Sequence, residues 1–345
     1  MDVLAERLTA QLLAGPRPRD PVAVVERLLA VQGQDARGVR LAIRARSTGV
    51  SAADVDRALT VDRSLLISWL NRRTLHLVRR EDYPLLQALT TPPLVSGTAR
   101  RLDQEGVSPE QADRAIAVIE RALADDGPLT RAQLRERVAA SDVRTEGQAL
   151  VNVLLLASLR GLIVRGPMVG KEQAFVLVRD WLGEQPAVDR GAGLGELARR
   201  YLVGHGPAGE RDLARWAGLP LRDVRAGFSA IGAQLRTLPG GLVDLKRRRR
   251  VAELPSPRLL GAFEPVLLGW VDRTPLLGTN QAAVTVGGLF KPFALVDGRA
   301  IATWRLTGGK LELEPFGRVR RDILASLEAD AEEVARFFAA PQPVG

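Results

Sequence analysis

The 345-residue chain contains no cysteine, which removes disulfides, thiolate metal ligands and thiol nucleophiles, and leaves the redox compartment undetermined. Histidine is nearly as scarce. His76 and His205 are the only two, so neither a classical zinc site nor a Ser/His/Asp apparatus is expected, and no metal or cofactor is called for. Long hydrophobic runs are also missing. The longest, residues 149–164, is broken by Asn152 and Arg160 and is too short to span a bilayer, so no membrane partner is expected. The start, Met1 to Arg7, is charged and lacks the basic-then-apolar order of a secretory signal, which predicts a cytoplasmic, nucleoid-associated protein. Lysine is rare too: only Lys171, Lys246, Lys291 and Lys310 among 49 cationic side chains, so nearly all positive charge is arginine.

What is present points to a folded chain with a phosphate-rich partner. Hydrophobic residues make up 46% and charged residues 26%, the balance of a soluble globular protein rather than a disordered one. The length exceeds what one ordinary core accommodates, so several domains are expected. The formal net charge of +9 favours nucleic acid as partner, and no obligate protein partner is evident.

The patterning predicts an α+β chain. Asp20 caps a helix that begins at Pro21, buries Val22, Val25, Leu28 and Leu29, and ends near Gln32; Ser51 caps a second, and Thr74–Val78 reads as a short strand. Ser108 and Thr130 start two further helices, residues 147–159 form a long apolar one, and strands follow at 162–166 and 174–178. The order helix, helix, helix, strand, turn, strand is that of a winged helix. It returns between residues 194 and 245, closing on the Gly-rich turn Pro239-Gly240-Gly241. Beyond Pro255 come short strands with turns at Asp297-Gly298 and Gly308-Gly309, predicting an antiparallel barrel-like domain, then an amphipathic helix over 318–339. The expected division is 1–100, 101–190 and 191–255 as tandem winged-helix units and 256–345 as the barrel-like domain.

Gln32 and Gln34, flanking Gly33, are the candidate chemistry. Neither titrates near neutrality, but an amide oxygen accepts a hydrogen bond from water and an amide NH2 donates one, so two amides can hold a water in place. That suffices only where the leaving group is already activated, as in hydrolysis of the N-glycosidic bond of a cationic alkylated purine. The bland reading is a helix C-terminus where two polar side chains satisfy backbone groups.

Together with Arg73-Thr74-Leu75-His76-Leu77-Val78, Phe263-Glu264-Pro265-Val266-Leu267-Leu268-Gly269, Asp272-Arg273, Val296-Asp297-Gly298 and Thr303-Trp304-Arg305, this pair resembles the winged-helix DNA glycosylases typified by AlkZ. The resemblance covers nearly the whole chain. It implies winged-helix units and a β-barrel around a DNA channel, excision of alkylated purines or unhooking of interstrand crosslinks, and a glutamine pair as the catalytic element, here Gln32 and Gln34. One departure is Gly33, where the family tends to carry an apolar side chain.

Double-stranded DNA carrying alkylated purine adducts is then the expected partner. The candidate contacts are Arg73 and His76 on the predicted strand, the run Lys246, Arg247, Arg248, Arg249 and Arg250, Arg273, and Trp304 as a stacking surface. Each has a structural alternative: a packed histidine, a solvated charge run, a buried Asp272–Arg273 pair, a core tryptophan. The rival functions are a non-catalytic DNA-binding regulator or lesion binder, and a small-molecule binder using the helical units as scaffold.

Overall fold

The computed structural model describes residues 2–169, 172–247 and 250–339. In chain order the elements are α1 (Val3–Ala10), α2 (Pro21–Leu28), β1 (Val31–Gln32), α3 (Ala36–Arg46), α4 (Ala52–Thr60), β2 (Leu65–Trp69), β3 (Leu75–Arg79), α5 (Tyr83–Thr90), α6 (Pro92–Gln104), α7 (Pro109–Asp126), α8 (Arg131–Ala139) and α9 (Ala149–Leu159). They continue with β4 (Ile163–Val169), β5 (Glu172–Leu177), α10 (Val178–Leu182), α11 (Arg190–His205), α12 (Glu210–Ala217), α13 (Leu221–Ala230), β6 (Leu235–Leu238), β7 (Leu242–Leu245) and β8 (Arg258–Leu260). The last are the one-turn helices α14 (Pro265–Leu268), α15 (Thr274–Leu277) and α16 (Gln281–Val284), then β9 (Thr285–Val286), β10 (Leu289–Phe290), β11 (Phe293–Val296), β12 (Arg299–Thr307), β13 (Lys310–Pro315) and α17 (Arg321–Ala339).

The chain divides into two compact units whose boundaries fall at 58/59 and 190/191: residues 59–190 form one, and 1–58 join 191–345 in the other. The expected division places 1–100 together in one unit. Residues 59–100, however, group with the segment that follows them rather than with 1–58.

In the 59–190 unit, β3, β2, β4 and β5 lie side by side in that order, every neighbouring pair antiparallel. Helices α7 and α8 start where the sequence places them, because Ser108 and Thr130 each close a capping box, with Gln111 and Gln133 respectively, and so satisfy amides that the first helical turn leaves without partners. Their apolar faces, with nearly all of α9, form the core: Ile116, Ile119, Leu134, Val153, Leu154 and Phe175 among others.

In the other unit, α11, α12 and α13 precede the hairpin β6/β7, paired from Leu235↔Leu245 to Leu238↔Leu242. Both helical series, α7–α9 with β4/β5 and α11–α13 with β6/β7, thus show the expected order of three helices and a hairpin. The C-terminal sheet has the order β13-β12-β11-β8. It turns at Asp297-Gly298 and Gly308-Gly309, all four residues at positive φ as tight hairpins require. The expected barrel is corrected here: the sheet is open, since its edge strands β13 and β8 are not paired to each other. One face is covered by α17 and α3, with Leu41, Leu259, Ala294, Ala302, Leu327 and Val334 between them.

Helices α3, α5 and α6 go beyond the elements expected. In α3 the buried apolar residues Val39, Leu41, Ala42, Ile43 and Ala45 share the helix with four arginines, and α6 opens on two prolines with Gly97 inside, so neither announces itself plainly as a helix.

Candidate active site

Gln32 and Gln34 sit on the short link between α2 and α3. Asp20 caps α2 through Val22 N (2.9 Å), with Pro21 at its first position. The helix stops earlier than expected, at Leu28: Leu29 takes a positive φ of 64° and Ala30 N donates back to Leu28 O (2.8 Å). The glutamines therefore do not cap a helix C-terminus. Gln32 lies on β1 and is only 8% exposed, whereas Gln34, two residues on, is exposed to solvent. One amide is held inside the fold and the other is presented outside it.

Asp35 fixes where the link ends. Its carboxylate accepts from Gly38 N and makes it the N-cap of α3, while its backbone has already left the helical region (φ −118°, ψ 114°). The start of α3 also meets the end of β8 at very close range. A Cβ on Gly38 would come within 2.4 Å of Ala262 O, and one on Gly261 within 2.9 Å of Gly38 Cα, so both positions require glycine for the approach itself.

Farther along α3, the fully buried Arg46 pairs with the equally buried Glu264, donates to Gln11 Oε1 (2.8 Å) and returns a bond to Ala42 O (3.0 Å). Arg44 grips Asp330 on α17 (2.6 and 3.0 Å). Glu264, in the Phe-Glu-Pro segment that carried part of the family resemblance, thereby has a positioning role. Two buried charges are tolerable only because they neutralise each other.

The remaining predicted contacts divide sharply. Arg73 is exposed in the turn between β2 and β3, where it and Arg72 both take left-handed backbone (φ 61° and 57°). Lys246 and Arg247 are exposed just after β7, Lys246 tethered through Nζ to Ala233 O (2.8 Å), and Arg250 is exposed as well. Arg248 and Arg249 lie outside the described residues.

Two expectations, His76 and Trp304, are corrected by burial. His76 is 2% exposed, and its Nδ1 lies 2.9 Å from Thr74 O. Burial, and next the charge of Arg72, depress its pKa to about 3, so it is neutral at physiological pH and offers no charge to a phosphate. Trp304 is 7% exposed, donates Nε1–H to Leu260 O (2.8 Å) and belongs to the core beneath α3 and α17, which leaves no face for a base to stack on. Arg273 is half-buried: its Nε ties to Leu267 O (2.8 Å) and its guanidinium lies 4.9 Å from the Phe290 ring centre. Asp272 does not pair with it and instead receives Thr274 N (2.9 Å).

Two side-chain groups were missed by sequence reasoning. Besides the Arg46–Glu264–Gln11 cluster, Tyr201 stacks on His205 while Trp216 and Trp270 pack against them tilted and edge-on, with Arg7 4.7 Å above the Trp270 ring and 3.6 Å from Asp212. No spacing rule joins residues so far apart in the chain. Only the charges at otherwise apolar positions hinted at either group.

The glutamine chemistry at the link is thus neutral: two amides, one buried and one exposed, ahead of a helix held through Gly38, Arg44 and Arg46. Among the described residues no group of His, Asp and Glu could hold a metal ion. The sequence profile of the family described as DNA glycosylase AlkZ-like matches residues 25–337. The chain belongs to the AlkZ-like DNA glycosylase family. Among solved structures, the DNA glycosylase AlkZ of Streptomyces sahachiroi is similar with a TM-score of 0.78 and 25% identity, over 97% of this chain and 95% of that one. No curated protein sequence matches this chain. The protein is therefore a DNA glycosylase, and the rival readings as a non-catalytic regulator or a small-molecule binder give way. In this glycosylase family member no described helix is long and apolar enough to cross a membrane.

Proposed function

We propose that the enzyme hydrolyses the N-glycosidic bond of alkylated purines of the N7-alkylguanine type in double-stranded DNA, with Gln32 and Gln34 as its catalytic residues. The observation that carries this reading is the contrast between the two amides: Gln32 buried on β1, Gln34 exposed two residues later at the capped start of α3. A buried amide beside an accessible one suits the positioning of a water.

Alkylation at N7 puts a positive charge on guanine. When the bond from C1′ to N9 breaks, its electron pair stays on the base and neutralises that charge, so no acid is needed to protonate the leaving group. The sugar becomes oxocarbenium-like. A water held by the amide oxygens adds its oxygen to C1′ and gives its proton to solvent. The enzymatic contribution is then position and local dipoles rather than a titrating base. Asp35 serves as a positioning residue, since its carboxylate keeps the link and α3 in register through Gly38 N.

The helix–helix–helix–hairpin series fits winged-helix units that present arginines to the DNA backbone, with Arg73, Lys246, Arg247 and Arg250 as the exposed phosphate contacts. A bulky or crosslinked adduct cannot easily be flipped into a closed pocket, so an exposed Gln34 also suits such lesions, as expected of a self-resistance factor against a DNA-alkylating natural product.

The test is alkaline cleavage of N7-methylguanine DNA and of a bulky-adduct duplex after single-turnover incubation. Loss of one well-placed stabilising group costs about a hundredfold or more in rate, so Gln34→Ala and Gln32→Ala should each fall by at least that. Undiminished release by the double variant would remove the glutamines from the mechanism.

A further inference from the structure

At the other end of α3, a second feature is built from charge. The helix has eleven residues, so at about 1.5 Å rise per residue its C-terminal turn lies roughly 16 Å from Asp35. There Arg17, Arg44, Thr48, Ser256, Arg258 and Arg336, with other residues, line a cleft of about 530 Å³.

The cleft holds acids as well, but they are spent. Asp330 takes both Arg44 nitrogens (2.6 and 3.0 Å) and Leu259 N (2.8 Å). Glu333 takes Arg336 (2.6 Å). Among the described residues neither Arg17 nor Arg258 forms an ion pair with a carboxylate, although Asp330 attracts both from beyond contact distance. Arg258 donates Nη1–H to Ala45 O (2.8 Å), which satisfies one carbonyl at the end of α3, yet its Nε is buried with no hydrogen-bond partner. Arg17 makes no hydrogen bond or ion pair to any described residue.

The two cations also feel each other. Burial, then the charge of Arg17, hold Arg258 down to about 10, and burial, then the charge of Arg44, lower Arg17, in each case outweighing the opposing pull of Asp330. Both stay cationic near neutrality. Half-buried guanidiniums that repel one another, with an unsatisfied donor among them, are stabilised by an anion that accepts several N–H bonds at once. Thr48 and Ser256, both exposed, add hydroxyls at the rim.

We propose that this cleft is a binding site for a phosphate oxyanion, gripped by Arg17 and Arg258 and separate from the glutamine centre. The anion can be a phosphodiester of bound DNA or the phosphate of a small phosphorylated molecule, since the recognition chemistry is shared. The site does not depend on the catalytic reading: Gln32→Ala and Gln34→Ala should leave it intact.

The probe is inorganic pyrophosphate, titrated calorimetrically into the full-length protein at low salt, alongside Arg17→Gln and Ser256→Glu. The second variant places a like charge at the exposed rim, so it informs even if loss of Arg17 perturbs folding. Pyrophosphate should bind the unaltered protein and bind each variant at least tenfold more weakly, with unchanged thermal unfolding. The salt dependence of DNA affinity then separates the two sources. A duplex phosphate in the cleft predicts a slope of log K against log salt shallower by about 0.9 in Arg17→Gln. An unchanged slope with lost pyrophosphate binding assigns the site to a small phosphorylated ligand. Equal pyrophosphate binding by all three proteins, or none by any of them together with an unchanged DNA slope, overturns the proposal.

Discussion

At the scale of single residues, the structure reassigns His76 from a DNA contact to a pH-dependent part of the core. Its imidazole has a folded-state pKa of about 3 against an ordinary value of 6.5, because burial and Arg72 disfavour the cation. The unfolded chain therefore binds the extra proton first. The stability associated with the neutral ring is fully present above about pH 6.5 and is lost as the pH falls from there toward 3. Thermal unfolding followed between about pH 6 and 5 should lose on the order of 1 kcal/mol per pH unit from this residue, and His76→Gln should flatten that portion of the profile. An identical pH profile for variant and parent would show that the ring is not held neutral. Sequence reasoning could name both histidines and weigh a packed reading for His76. It could not see that the partner of the ring would be the backbone of Thr74, because burial depends on everything folded over β3.

At the scale of elements, α3 decides the geometry of the candidate site, and it is the element least legible in the sequence. The glutamines were conspicuous as a pair. Their setting was not, since helix termination at Leu28 depends on the positive φ of Leu29, a conformation no leucine advertises. Capped helices were readable wherever local chemistry suffices, as at Asp20, Ser108 and Thr130. Elements defined by remote partners, such as α3 against β8, were not. Gly38 concentrates that dependence. Gly38→Ala places a methyl group 2.4 Å from Ala262 O, a backbone atom that cannot simply rotate away. Overpacking of this kind costs about 1–3 kcal/mol, and the displaced start of α3 should carry Gln34 with it. The expected outcome is a lower unfolding midpoint together with a slower single-turnover excision rate. Gly317→Ala, where a Cβ meets nothing within 4 Å, serves as the control and should change neither. Excision at the parental rate by Gly38→Ala would separate the packing of α3 from catalysis.

At the scale of the whole molecule, the clearest signal was charge. A net +9 carried almost wholly by arginine pointed to a nucleic-acid partner, in agreement with the family assignment. Which cations face DNA was harder to read, because arginine also does internal work here: Arg46 and Arg44 hold α3, Arg79 pairs with Asp82 (2.8 Å), and Arg7 covers Trp270. Arginine count therefore overstates the DNA-facing charge. The segment after β7 is the better test. A combined Lys246→Ala, Arg247→Ala, Arg250→Ala variant should weaken DNA binding equally on every sequence and make the salt slope shallower by about 0.9 for each phosphate that is no longer neutralised. An unaltered slope would mark the run as a solvated surface. The open C-terminal sheet shows the limit of strand counting: alternating patterns and hairpin turns predict neighbours within a sheet, but whether its edges meet is set by twist and by what covers them.

The supports of α3 also have a temporal consequence. Arg46 waits for Glu264, 218 positions downstream, and Arg44 for Asp330, 286 positions downstream. During synthesis the glutamines and α3 therefore leave the ribosome well before the residues that hold α3 in place. A polypeptide cut short before Glu264 would thus display α3 without its buried counter-charge, and the proposed excision chemistry should appear only once residues 264 and 330 have been made.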